Sequence, residues 1–209
     1  MILDMTENIS RTKAQLLEAA KSCILESGYA NVTTRMVADK AGVPVSQIHY
    51  HFGSKHALML SLTDYLNSER LELYNKIFQD DATLSEMWLK LGEVLLDDLE
   101  TGYTRVMQEL IAASFSDEEL RSRVAEQFHR WHATLSKFGA IVEERLGSIG
   151  PLKAKEFAGL LDAVAIGINQ RMLLGITERE VPGIYALNRF TSLFKELEED
   201  AASTMKKQR

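Results

Sequence analysis

The sequence is poor in everything that stops a helix or staples a small fold: of 209 residues, three are proline, twelve glycine and one, Cys23, cysteine. A lone cysteine excludes an internal disulfide, and its place on the apolar side of a helical pattern makes it a packed thiol rather than a redox sensor. No segment alternates polar and apolar residues for long enough to be a strand, and no internal repeat is present. GlyxSerxGly, a phosphate-binding loop, GlyxGlyxxGly after a strand and HisGluxxHis are all missing, so catalysis has no support. Glu109, Glu143, Glu144 and Asp162 are carboxylates that nothing in the sequence pairs for acid–base work, and no cofactor is expected. The start, MetIleLeuAspMetThrGluAsnIleSer, carries acids where a secretory leader has a basic region and then an apolar run. With the single thiol, this points to the reducing cytoplasm.

Long apolar runs are scarce too. Only residues 157–176 approach membrane length, and Asp162, Asn169, Gln170 and Arg171 interrupt them at a cost of several kcal/mol in lipid. A helix buried on both sides is the better reading, and no membrane partner is expected. With 45% hydrophobic and 26% charged residues, the rest is the composition of a soluble globular protein.

The formal net charge of -6 argues against nucleic acid as a partner until it is divided. Residues 1–60 carry six basic and five acidic side chains, leaving 18 basic and 25 acidic downstream. A near-neutral segment precedes a strongly acidic one, which leaves room for a DNA-contacting surface at one end.

Helical periodicity runs through the chain. Residues 10–27 form an amphipathic helix through Leu16, Ala20, Cys23 and Ile24, with Ser10 placed to cap it and Gly28 ending it. Thr33-Thr34 opens a helix of about two turns ending at Gly42, and a third begins at Pro44 with Ile48 and Phe52 on one face. Two short helices joined by a glycine-containing turn, the second with a polar face, form a helix-turn-helix. Ser54 then caps a long helix to Phe78, Thr83 opens the next, and 103–115 follows. Ser116 with Glu119 reads as a capping box for a helix to Leu146. A turn at 147–151 precedes helices over 153–175 and 183–198; the acidic run 196–200 reads as a solvated helix end and 205–209 as a frayed tail. The expected class is all-α with about nine helices.

The residues Thr33-Thr34-Arg35-x-Val37-Ala38-x-x-Ala41-Gly42-Val43, then Ile48-x-x-His51-Phe52-x-Ser54-Lys55 and Leu58, resemble the DNA-binding signature of TetR-type transcriptional regulators. Arg11, Leu16, Ala19 and Ala20 match that family's first helix, so the resemblance covers roughly residues 11–60. It implies a helix-turn-helix domain over 1–60 and a ligand-binding and dimerisation domain over 61–209. It further implies a homodimeric regulator, usually a repressor, that binds a palindromic operator in double-stranded DNA and releases it when a small effector binds. The alternative is a DNA-binding regulator without an effector, acting through a protein partner.

By match to the family pattern, Arg35, Val45, Ser46 and Gln47 are placed for base or groove contact, with Gln47 able to pair with adenine and Arg35 with guanine. Thr34, Tyr50, His51 and Lys55 fit phosphate contact. His49 stands where the family commonly has tyrosine; it donates to phosphate best when protonated, so operator affinity is expected to fall as pH rises. Further along, Trp88, Tyr103, Met107, Phe128 and Trp131 are expected to line an apolar effector cavity, with His132, Asn169 and Gln170 as polar anchors, suiting a small hydrophobic or aromatic ligand. A small-residue stripe of Gly159, Ala163 and Gly167, with Leu187, Phe190, Thr191 and Phe194, is expected to meet a second copy of the chain; Val164 is assigned to the opposite, inward face. His129 and His132 share a helical face at metal-chelating spacing, but two ligands are too few and no metal site is expected.

Overall fold

A computed structural model describes residues 2–78, 81–147 and 151–207, in which nine α-helices and one 3₁₀ turn are joined without a strand. In order these are α1 (Ile2–Ser27), the 3₁₀ turn Tyr29–Asn31, α2 (Thr34–Ala41), α3 (Ser46–Phe52), α4 (Lys55–Ile77) and α5 (Leu84–Glu100). They continue with α6 (Tyr103–Ser114), α7 (Glu118–Leu146), α8 (Ala154–Leu173) and α9 (Gly183–Lys207). No helix among the described residues is long and apolar enough to cross a membrane.

Most starts follow the expected chemistry. Thr33 Oγ1 accepts from Met36 N at 3.2 Å, Ser54 Oγ from Ala57 N at 3.1 Å, and Thr83 makes a reciprocal capping box with Glu86. Two do not. α1 begins well before Ser10, because nothing between Ile2 and Ser10 breaks a helix. Asp117, not Ser116, caps α7: its carboxylate accepts Leu120 N at 3.0 Å, whereas Ser116 donates back to the Ala113 carbonyl. An acid at this position has the added benefit of the helix dipole. α9 also runs past the expected end, so the acidic run 196–200 lies within the helix. Of the turn expected at 147–151, residues 148–150 lie outside the described residues, as do 208–209 of the expected frayed tail.

The chain forms two compact units. The first comprises residues up to Glu69 together with Gly102–Gln127; the second comprises Arg70–Thr101 and the residues from Phe128 onward. The boundary drawn from the motif at 60/61 falls inside α4, since compactness groups α6 and the start of α7 with the helix-turn-helix.

The first unit is built on Leu16, Ala20, Ile24, Val37, Ala38, Ile48, Leu58 and Leu62, all fully buried, with Cys23 among them. Burying side chains of this size contributes about 1.5–3 kcal/mol each for the larger aliphatics, which fixes α2 and α3, two short helices that would not persist alone. Gly42 and Gly53 take φ of 68° and 80° to end α2 and α3 abruptly. Polar ties add direction: the Tyr65 hydroxyl bonds to Glu18 of α1 and Glu69 of its own helix, and burial, with these acids, pushes the phenol pKa up.

The second unit centres on Phe138, Trp88, Phe194, Phe157, Met87 and Leu84. Trp88 packs against Phe194 at 5.3 Å between ring centroids, Phe138 against Phe194 edge-on at 5.8 Å. Gly139 brings α7 so close to α8 that a Cβ there would lie 2.5 Å from the Ala154 carbonyl oxygen. Arg70 closes the unit elsewhere, with Nη1 3.0 Å from Asp97 and Nε 2.6 Å from the buried Asp98.

Candidate nucleic-acid interface

α3 is too short to be stable on its own, and one residue anchors it: Ile48 is fully buried. Pinned there, the helix turns Ser46, His49 and Tyr50 outward, with Tyr50 69% exposed, while Val45, Gln47 and His51 are half-buried at its flanks. α2 contributes Arg35, whose side chain is 85% exposed, and half-buried Thr34 in its first turn. The nearest acid to Arg35 is Asp39 at 3.9 Å, an exposed i,i+4 pair too weak to withhold the guanidinium from a base or phosphate. All nine residues assigned to DNA contact therefore sit on α2, on α3 or its N-cap Val45, or at the first residue of α4, within the first unit, and none lies in its core.

The histidines differ in what they can donate. Nδ1 of His49 lies 3.2 Å from the Gly53 carbonyl oxygen, which can only accept, so in the neutral ring the proton sits on Nδ1 and Nε2 is an acceptor. His49 gains an N–H for phosphate only when it takes up a second proton. His51 is held below the usual histidine range, first by burial and then by the Lys13 ammonium.

Two cations at this face rest on aromatic rings. Lys13 Nζ lies 5.7 Å from the Phe52 centroid, and Lys55 Nζ 5.6 Å from that of Tyr29. Both contacts limit where the ammonium can go, lowering the ordering cost of meeting a phosphate. Tyr29 is itself fixed: its backbone N–H donates to Glu109 of α6 at 3.1 Å, and burial, then the charge of Asp117, raises its phenol pKa. Next to Lys55, His56 bridges Asp117 at 3.2 Å and Glu119 at 2.9 Å. Sequence reasoning missed these supports. Glu109 looked like an unassigned acid and Glu119 like a capping-box residue, and their partners lie 80 and 63 residues away.

The eight residues proposed for an effector cavity are divided between the two units. Tyr103 and Met107 belong to the first unit, the other six to the second. Trp88 is core, its indole N–H donating to the Leu187 carbonyl at 2.7 Å, and Gln170 is exposed. Phe128, Trp131, His132 and Asn169 are half-buried, and Trp131 donates its indole N–H to Asp162 at 2.7 Å. An open depression of about 280 Å³ in the second unit is lined by Lys76, Ile77, Asp81, Ala82, Glu86 and Lys90, none of them among the eight. His129 is exposed while His132 packs beside Gly159, and no set of three metal-ligating side chains occurs among the described residues.

The residues assigned to a dimer face are divided as well. Phe194 is buried in the second unit's core and Leu187 is half-buried against it, while Gly159 faces His132. Ala163 and Phe190 are exposed, Gly167 has open space where a Cβ would stand, and Thr191 is half-buried with an unpartnered hydroxyl. Val164, assigned inward, is 46% exposed; with Leu160 on α8 and Tyr185, Leu193 and Leu197 on α9 it forms the exposed apolar side of these two helices. The correction is one of helix phase: positions i and i+1 differ by about 100°, so Leu193 faces out where Phe194 faces in.

Residues 16–62 match the family described as bacterial regulatory proteins, tetR family. The nucleoid occlusion factor SlmA of Vibrio vulnificus is 27% identical over 157 residues, covering 74% of this chain and 76% of that protein. Among solved structures, a TetR-family transcriptional regulator from Rhodococcus sp. superposes with a TM-score of 0.74 at 19% identity, over 88% of this chain and 98% of that one. The transcriptional regulator FadR from Bacillus subtilis, solved with stearoyl-CoA, gives 0.69 at 18% identity, over 87% and 96%.

Proposed function

We propose that this chain, whose residues 16–62 match the tetR family of bacterial regulatory proteins, is a DNA-binding regulator of that kind rather than an enzyme, and an effector-responsive repressor acting in the cytoplasm. It binds a palindromic operator as a homodimer, with residues 1–60 reading DNA and 61–209 dimerising and sensing. The observation that carries this is the outward face of α3, where Ser46, His49 and Tyr50 stand exposed beside Arg35 while Ile48 anchors the helix. Gln47 and Arg35 read bases, Val45 and Ser46 meet the groove, and Thr34, His49, Tyr50, His51 and Lys55 hold phosphates. Two such helices reach successive major grooves when their centres are about 34 Å apart. The exposed apolar residues of α8 and α9 are the surface that a second copy would cover, joining Ala163, Gly167, Phe190 and Thr191 of the original set.

Induction requires an effector with higher affinity for the dimer that does not fit the operator. A tenfold loss of operator affinity takes only about 1.4 kcal/mol of such coupling. The likeness to FadR, solved with stearoyl-CoA, favours a small-molecule effector; the likeness to a nucleoid occlusion factor favours the second reading, a DNA-binding protein that works through a protein partner. Fluorescence anisotropy with DNA from upstream of the protein's own gene tests the DNA reading. The Gln47→Ala, Lys55→Ala double variant is expected to fold and dimerise but lose binding, and retained binding would overturn the assignment.

A further inference from the structure

α8 carries an acid where its surroundings call for none. Asp162 is half-buried, and among the described residues its one hydrogen-bond donor is the indole of Trp131, at 2.7 Å. A carboxylate offers about four acceptor positions, so most of its capacity is unused. Seven residues on, and so on the same side of the helix about 10 Å along it, the Asn169 Oδ1 atom is buried with no hydrogen-bond partner. Both groups accept, and among the described residues no side-chain donor except Trp131 reaches them. The aromatic side is equally specific: Trp131 packs on Tyr74 at 4.4 Å between centroids, and His132 lies over Gly159 one turn before Asp162. Burial raises the Asp162 pKa and outweighs the Trp131 bond and the charge of the nearby His132, so desolvation dominates at this carboxyl. A link between two helices needs only a neutral acceptor for an indole N–H. An anion there, with spare lone pairs and an indole ring beside it, fits a ligand that brings positive charge and N–H donors.

We propose that the second unit binds an organic ammonium ion, with Asp162 pairing its charge, Trp131 lying against its apolar part and Asn169 accepting a further donor. This refines the effector reading above and rests on it, replacing the neutral hydrophobic ligand expected from the aromatic residues with a cationic amphiphile.

Three probes of matched length separate charge from hydrophobicity: 4-phenylbutylamine, 4-phenylbutanol and 4-phenylbutyrate, titrated into the full-length protein with tryptophan emission as readout. The amine is expected to bind at least tenfold tighter than the alcohol, with the carboxylate weakest. In Asp162→Asn, which keeps an acceptor for Trp131, the amine's advantage is expected to shrink below threefold with alcohol affinity unchanged. Trp131→Phe, leaving Trp88 as the only tryptophan, is expected to lose most of the emission change. Equal binding of amine and alcohol by the wild-type chain, or a tenfold gap that survives in Asp162→Asn, overturns the proposal; the first needs no variant to fold. Operator binding measured on the same samples keeps the two readings apart. Selective amine binding that leaves operator affinity unchanged supports the site and defeats induction, whereas loss of operator binding by the amine supports both.

Discussion

Lys55 offers the sharpest test of how the DNA face works, because its two roles predict different numbers. Its ammonium lies 5.6 Å from the Tyr29 ring centroid at the start of α4. The helix dipole there disfavours a cation, so a phosphate partner gives this charge its purpose. Lys55→Gln removes one cation from each protomer and two from a dimer. Each phosphate contact adds about 0.9 to the slope of log affinity against log salt, so the variant's slope should be shallower by about 1.8. Between 50 and 200 mM salt that amounts to about a twelvefold smaller loss of affinity than the wild type shows. The stability cost is limited to the ring contact, about 0.5–1 kcal/mol at a partly exposed site, so a folded variant is expected. The measurement is anisotropy of labelled operator DNA across the salt series, with Lys155→Gln, an exposed cation on α8, as the control whose slope should not move. Equal slopes for Lys55→Gln and wild type would show that Lys55 touches no phosphate and that its contact with Tyr29 is purely structural.

Gly139→Ala should destabilise by about 1–3 kcal/mol in a denaturant titration, because its Cβ would meet the Ala154 backbone oxygen at 2.5 Å and backbone cannot step aside cheaply. Gly92→Ala, on α5 with open space around it, should instead stabilise by about 0.5–1 kcal/mol; the two substitutions having the same sign would refute the packing described. Leu193→Glu places a charge on the exposed apolar side of α9 and should turn a dimer into a folded monomer in sedimentation analysis, with operator affinity falling alongside. A Leu193→Glu dimer as stable as wild type would move the interface elsewhere. Asp162 keeps its proton to higher pH in the folded chain than in the unfolded one, so its contribution to stability is present at low pH and is lost as pH rises through the folded value. Asp162→Asn should therefore melt higher than wild type at neutral pH, with the difference closing as the pH is lowered below the carboxyl range; a lower melting temperature at pH 7 would contradict the raised value.

The helix-turn-helix was legible because its information is local. Thr33, Gly42 and Ser54 act within three or four residues of themselves, as caps and a positive-φ stop, and Ile48 and Leu58 are buried where the local pattern placed them. The helix ends that went wrong did so over one competing choice. Ser116 and Asp117 are adjacent, both can cap, and the acid has the dipole in its favour. Contacts across 63 to 80 residues, such as Glu109 with Tyr29 and Glu119 with His56, leave no periodic trace, so the supports behind the DNA face were invisible.

The second unit shows a different limit. Helical periodicity separates an apolar face from a polar one only when the faces differ, and α8 is apolar nearly all round. Phe157, Ala158 and Ile168 face the core of the unit, while Leu160 and Val164, equally apolar, face away from it. Composition treats the two sets alike, so the small-residue stripe at Gly159, Ala163 and Gly167 looked like the feature that distinguishes a face. Packing splits that stripe, for Gly159 is covered by His132 while Ala163 is exposed. The informative residues in such a helix are the ones that break its character. Asp162 and Asn169 cost free energy wherever a buried helix puts them, so each needs a partner of opposite hydrogen-bonding sense. In the structure Asp162 finds one donor and the Asn169 oxygen none, and that deficit of donors, more than any aromatic residue nearby, defines the kind of ligand the unit would take.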